Sequence, residues 1–163
     1  MTITAEELRS ILAYNPETGA FTWKVTASNR RQAGELAGCK CKRSGYMLIG
    51  YKGVVYPAHR LAWLHVYGTW PTMDIDHING IPGDDRICNL RLATHQQNMS
   101  NRGRQKNNSS GYKGVYRHQE KWRARITVAG KSVSLGVYHN PEEAHRAYAE
   151  AASRYNGDFA RAK

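Results

Sequence analysis

The residues best equipped for chemistry lie in the middle of the chain. Asp76 and His77 are adjacent, Asn89 follows the histidine by twelve positions, and Asn98 lies nine further on. Phosphodiester hydrolysis needs an activated water, neutralised charge at phosphorus and help for the leaving 3′ oxygen. Asp76 with the side-chain oxygen of Asn98 makes a sparse oxygen site suited to Mg²⁺, which keeps most of its waters and takes phosphate oxygens as ligands. Mn²⁺ is expected to substitute. His77 brings an imidazole, the side-chain type best suited to take a proton from the attacking water near neutral pH. Alone, Asp76-His77-Ile78-Asn79-Gly80 would read as a hairpin with a surface ion pair; the distances to Asn89 and Asn98 argue for the site. His95 rivals Asn98 for the third position, although it starts its helix whereas Asn98 sits one turn in. Arg91 either steadies the scissile phosphate or pairs with Asp84 or Asp85. His59 and His65 read as packing or supporting residues, and Asp74 as structural.

A ββα finger would bring these groups together. Asp76-His77 ends a short strand, Asn79-Gly80 opens a turn, and a polar loop runs through Gly83-Asp84-Asp85-Arg86. Asn89-Leu90-Arg91-Leu92 is a second strand, and Thr94 caps a short helix carrying His95 and Asn98. Upstream, Thr4 with Glu7 three residues on starts a helix whose apolar stripe is Leu8, Ile11 and Leu12. A turn at 15–19, a strand at 20–25 and a hairpin with strands at 46–49 and 54–56 about Lys52-Gly53 follow. Residues 58–67 have helical spacing through Leu61 and Leu64, and Gly68 stops that helix.

The stretch 101–111 holds no apolar residue and reads as a linker. Its Arg102, Arg104 and Lys106 can lie along a phosphate backbone or serve solubility. Beyond it, strands are expected at 112–117, 121–128 and 131–138. Asn140-Pro141 then opens a long helix ending at Asn156-Gly157, with a stripe of Ala144, Ala147, Tyr148, Ala151 and Tyr155. In the middle strand Trp122, Ala124, Ile126 and Val128 alternate with Arg123, Arg125 and Thr127, so one face meets the helix and the other projects guanidinium groups. Lys113, Arg117 and Lys121 are expected to extend that basic surface.

Charge agrees with a polyanionic partner. The 163 residues carry 24 Lys and Arg against 13 Asp and Glu, a net charge of +11. Residues 57–98 are the exception, with three basic and four acidic residues between basic flanks. A cation site beside phosphate-binding surfaces has this distribution. Arg30, Arg31, Lys40, Lys42 and Arg43 supply either a further contact region or solvated loops. Cys39, Cys41 and Cys88 are too few for a disulfide scaffold and lack zinc-knuckle spacing, so no structural zinc is expected. No apolar run is long enough to cross a bilayer and the first residues show no export signal, so no membrane partner is expected and the default location is the cytoplasm.

The central segment resembles the HNH endonuclease family, in the phage and homing type with the HNN variant of the motif, on Asp76-His77, Asn89 and Asn98. Asn15-Pro16-Glu17-Thr18-Gly19 and Ala58-His59-Arg60-Leu61-Ala62-Trp63 extend the resemblance. It implies an α+β fold built on a ββα-metal (His-Me) finger, with His77 as general base, Asp76 and Asn98 on the metal, and Asn89 clamping the loop that aims the imidazole. The segment from Gly111-Tyr112-Lys113-Gly114-Val115 to Ala144-His145-Arg146-Ala147-Tyr148 resembles the AP2/ERF DNA-binding domain. That implies a small three-stranded antiparallel sheet packed on one helix, with the sheet in the major groove of double-stranded DNA. Ser132 and Ser134 stand where plant members present arginine and tryptophan, so base preference does not carry over. The expected organisation is a nuclease domain at 1–100, a basic linker at 101–110 and a DNA-binding domain at 111–163. The chain is read as a phage-encoded nicking enzyme acting in the bacterial cytoplasm as a monomer or weak dimer, against the alternative of a non-catalytic DNA-binding regulator.

Overall fold

A computed structural model describes residues 2–26, 31–105 and 107–161. Arg30 and Lys106, both candidate phosphate contacts, lie outside the described residues. Two compact units are formed by Met1–Leu92 and Ala93–Lys163.

The first unit opens on α1 (Ala5–Ile11), where the Thr4 hydroxyl accepts the Glu7 amide at 3.1 Å. Leu12, expected to continue the helix, instead turns extended at φ −127° and begins β1 (Leu12–Tyr14), antiparallel to β2 (Phe21–Trp23). Leu8, Ile11 and Leu12 are nevertheless all buried, because the chain changes element without leaving the core. A second sheet, in the order β3 (Cys39–Lys40), β4 (Met47–Tyr51), β5 (Val54–Pro57), contains the expected hairpin. Lys52 at φ 46° and Gly53 at φ 78° both lie in the left-handed region, as a two-residue turn between twisted strands requires. Helix α2 (Ala58–Tyr67) ends at Gly68 in the left-handed conformation and buries Leu61, Ala62 and Leu64. The Arg9 guanidinium donates twice to the His65 carbonyl, tying α1 to α2. Phe21, Trp23, Ile49, Ile75 and Leu90 complete the core. Against it lies a two-stranded sheet of β6 (Asp74–His77) and β7 (Leu90–Ala93).

The second unit begins with α3 (His95–Asn101), closed by a reciprocal capping box between Thr94 and Gln97. Strands β8 (Val115–His118), β9 (Lys121–Val128) and β10 (Lys131–Tyr138) form an antiparallel sheet with β9 in the centre, and α4 (Pro141–Asn156) packs on it. Asn140 accepts the Glu143 amide at 2.8 Å, and Pro141 occupies the first turn. The buried line of α4 is Ala144, Tyr148 and Ala152; Tyr155, expected on the stripe, is exposed. Contact follows the i, i+4 ridge, which diverges from the expected stripe after one turn. The Tyr148 ring lies where a side chain on Gly114 would project: a Cβ there would sit 2.1 Å from Cδ2.

Candidate active site and basic surface

His77 ends β6 with its side chain inside the first unit, 5% exposed. Its Nε2 lies 2.9 Å from Asp85 Oδ1, and Asp85 is 1% exposed. The sequence offers Asp85 only as a possible partner for Arg91; its nearness to His77 depends on how the loop after β6 folds back. Three contacts fix that loop around Asp85. The Tyr14 hydroxyl donates to the Asp85 carbonyl at 2.7 Å, and burial pushes the phenol up to about 12, which keeps it a donor. Gly19 (φ +73°) lies so close that a Cβ would sit 2.6 Å from the Asp85 carbonyl carbon and 2.5 Å from the Arg86 nitrogen. The turn at 15–19 thus backs the loop.

Asn89, 7% exposed, supplies the third restraint. Its Oδ1 accepts the Asn79 amide at 3.0 Å, while Nδ2 donates to Asn79 Oδ1 at 3.1 Å and to the Asp84 carbonyl at 2.8 Å. One side chain therefore joins both ends of the loop between His77 and Asp85. Asn79 also donates to Asp84 Oδ2, and the Arg86 guanidinium donates to both Asp84 oxygens at 2.7 Å. Arg86 holds the Asp84 carboxyl down at about 2.

Asp76 is 3% exposed, and its Oδ2 accepts from the Arg91 guanidinium at 2.8 Å. Arg91 was expected to face phosphate or to pair with Asp84 or Asp85. In the structure Asp84 pairs with Arg86 and Asp85 faces His77, and Arg91 is paired to the predicted metal ligand. His59 was read as packing or support. It enters from the first turn of α2, 9% exposed, with its ring centroid 5.2 Å from that of His77 and 5.1 Å from that of Tyr46. Burial, with His77 and Arg60 alongside, pushes its pKa down to about 3, so the ring is neutral. His59 Nδ1 is buried without a hydrogen-bond partner. One metal-binding atom each from His59, His77 and Asp85 lie within 4.8 Å of one another, a potential cation cluster among the described residues. His65 is a packing residue, its ring against Tyr14 and Phe21.

In the second unit Asn98 is half-buried on α3, its amide bonded to the Thr94 carbonyl at 3.0 Å, and His95 is exposed at the start of that helix. The β9 register sets the faces of the sheet. Arg123 and Arg125 lie opposite Tyr116 and Ser134, with Lys121 opposite His118, on the side away from α4. Two of the residues expected to extend that surface do not. Arg117 lies opposite Trp122, whose ring its guanidinium covers at 5.1 Å, so it shares the face that packs on the helix. Lys113 is half-buried and donates to the Ser100 carbonyl at the C-terminal turn of α3; burial pushes its ammonium down to about 8. Alternation along one strand could not reveal either displacement. Arg102 and Arg104 are exposed after α3.

Residues 56–100 match the HNH endonuclease family. The chain is 36% identical over 87 residues to Protein 3.8 of Escherichia phage T7, a match that takes in 46% of this chain and 72% of that protein. The family match spans His59, Asp76, His77, Asp85, Asn89, Arg91 and Asn98. No helix among the described residues is long and apolar enough to cross a membrane.

Proposed function

This chain belongs to the family that includes Protein 3.8 of phage T7 and carries an HNH endonuclease domain, and from that premise we propose that it nicks duplex DNA with His77 as general base. The observation that carries the reading is the restraint on His77: an imidazole at a strand end, set against Asp85 by a loop that Asn89 and Tyr14 hold. The Asp85 carboxylate, 2.9 Å from Nε2, orients the ring that takes the proton from water. Asn89 positions the loop and touches no reacting atom.

HNH nucleases depend on a divalent cation, and the donor chemistry here suits one. The motif assigns Asp76 and Asn98 as oxygen ligands for Mg²⁺ or Mn²⁺, and Arg91 holds the Asp76 carboxylate in one orientation. When bound, such an ion neutralises charge at the phosphate and stabilises the leaving oxygen. While paired with Asp76, Arg91 offers its remaining N–H groups to the scissile phosphate.

The proposed organisation is a nuclease domain at 1–100, a linker at 101–110 and an AP2/ERF-like DNA-binding domain at 111–163. The open face of β8–β10, with Lys121, Arg123 and Arg125, grips the major groove, while Arg102, Arg104 and Lys106 follow the phosphate backbone. The function is homing by a phage-encoded enzyme in the bacterial cytoplasm.

A supercoiled plasmid incubated with Mg²⁺ and either wild type or His77→Ala tests the mechanism. Wild type should produce nicked circles with 5′-phosphate and 3′-hydroxyl ends, and the variant should lose at least two orders of magnitude in rate. Equal nicking by both would overturn the base assignment. Absence of nicking by wild type, with DNA binding retained, would favour a regulator that uses the finger as scaffold.

A further inference from the structure

The oxygen ligands proposed for Mg²⁺ do not include a second, nitrogen-rich donor set in the first unit. His59, His77 and Asp85 come from three segments: the first turn of α2, the end of β6 and the loop that follows it. All three are at least nine-tenths buried. Their donor atoms lie within 4.8 Å of one another, so some point is within about 2.8 Å of all three, the longest separation divided by the square root of three. Zinc–nitrogen and zinc–oxygen bonds are about 2.0–2.2 Å, so a contraction of well under 1 Å per ligand would close the site. Two imidazoles and one carboxylate make the donor set of Zn²⁺, Co²⁺ or Ni²⁺ rather than of Mg²⁺, which prefers oxygen and retains water.

A second observation points to a ligand. His59 Nδ1 is buried without a hydrogen-bond partner, which costs free energy unless something occupies its lone pair or accepts its proton. The ring is already immobilised, with Tyr46 packed on both His59 and His77. Little side-chain entropy remains to be lost on coordination.

We propose that His59, His77 and Asp85 form an inhibitory site for a borderline transition-metal ion such as Zn²⁺, which disables the nuclease by occupying its general base. The inference rests on the assignment of His77 above and adds its regulation. Binding through the Nε2 that now faces Asp85 exchanges that contact for bonds from the metal to Nε2 and to the carboxylate, and any proton on Nε2 leaves to solvent. An imidazole and a carboxylate held on the ion are withdrawn from proton transfer with water. No redox step is involved.

The test uses the full chain and Co²⁺ as spectroscopic probe. Titration should give visible d–d absorption saturating at one ion per chain, reversed by Zn²⁺, with Mg²⁺ in large excess unable to displace it. Removing a partner outside a metal's direct ligands costs roughly 10–100-fold in affinity, so loss of a direct ligand in His59→Ala should weaken binding about a hundredfold or more. Asp85→Asn should do likewise. Zn²⁺ titration of uniformly ¹⁵N-labelled wild type should shift the imidazole nitrogens of His59 and His77 together, a readout independent of how the variants fold. Nicking in Mg²⁺ should be suppressed by Zn²⁺ in wild type and be at least tenfold less sensitive in His59→Ala, each normalised to its own activity without Zn²⁺. Absence of the Co²⁺ bands, undiminished binding by both variants, or imidazole resonances that do not move would overturn the site. Metal capture by a wild type that does not nick DNA would remove the nuclease reading and leave the site standing; nicking without capture would do the reverse.

Discussion

Replacing Gly19 by alanine should damage His77 from a distance, because the new methyl group has nowhere to go. At φ +73° an L-residue pays about 1–2 kcal/mol that glycine does not. The added Cβ would also stand 2.5 Å from the Arg86 nitrogen and 2.6 Å from the Asp85 carbonyl carbon. Normal carbon contacts start near 3.5 Å, so the loop backbone must retreat by roughly 0.9 Å. Taken up at Asp85, that retreat would open the 2.9 Å contact with His77 to about 3.8 Å, past the limit of a hydrogen bond. Leaving one buried polar group unpaired costs a further ~1–3 kcal/mol, for a total of about 2–5 kcal/mol. For a unit of this size each kcal/mol is worth about 4–8 °C, so the midpoint should fall by at least ~8 °C. Trp23, Trp63 and Trp70 report the first unit, and tryptophan fluorescence during heating measures the shift. In the same variant, below its melting range, the ¹⁵N resonances of the His77 ring should move. A midpoint within ~2 °C of wild type, with those resonances unchanged, would refute the argument that Gly19 holds the Asp85 loop in place.

Three other changes test neighbouring parts of the structure. Arg91→Ala removes the guanidinium from an Asp76 that is 3% exposed, and breaking a buried pair in this way should cost about 3 kcal/mol in urea denaturation; Arg91→Lys should recover part of it. Asp84, held at about 2 by Arg86, binds its proton less readily folded than unfolded, so its contribution is fully present above the ordinary aspartate value near 4 and disappears as pH falls towards 2. An acid titration of stability should therefore be shallower across that window in Asp84→Asn. On the open sheet, Arg123→Ala with Arg125→Ala should weaken DNA binding and reduce the salt dependence by about two counterions, whereas Arg117→Ala, on the face with Trp122, should alter it by less than one; nitrocellulose or fluorescence binding across a salt series measures both.

Features encoded within a few residues are legible in the sequence. Thr4, Thr94 and Asn140 announced their helices because capping is a contact over three positions. Lys52-Gly53 marked a hairpin whose partners are adjacent in sequence. The short strands Leu12–Tyr14 and Cys39–Lys40 escaped notice because two or three residues carry no periodicity and are strands only through their partners. Residue spacing also groups Asp76, His77, Asn89 and Asn98, and their joint role stands as a proposal.

What the chain alone determined is chemical: a basic sequence with a carboxylate, an imidazole and two amides at set intervals. Tertiary structure decided who faces whom. That Arg91 pairs with Asp76, that Asp85 and not a solvent-exposed side chain meets His77, and that His59 joins them are consequences of burial. These residues converge because a helix, a strand end and a loop are pressed onto one apolar core, and a buried polar group must find its partners among whatever that packing brings within reach.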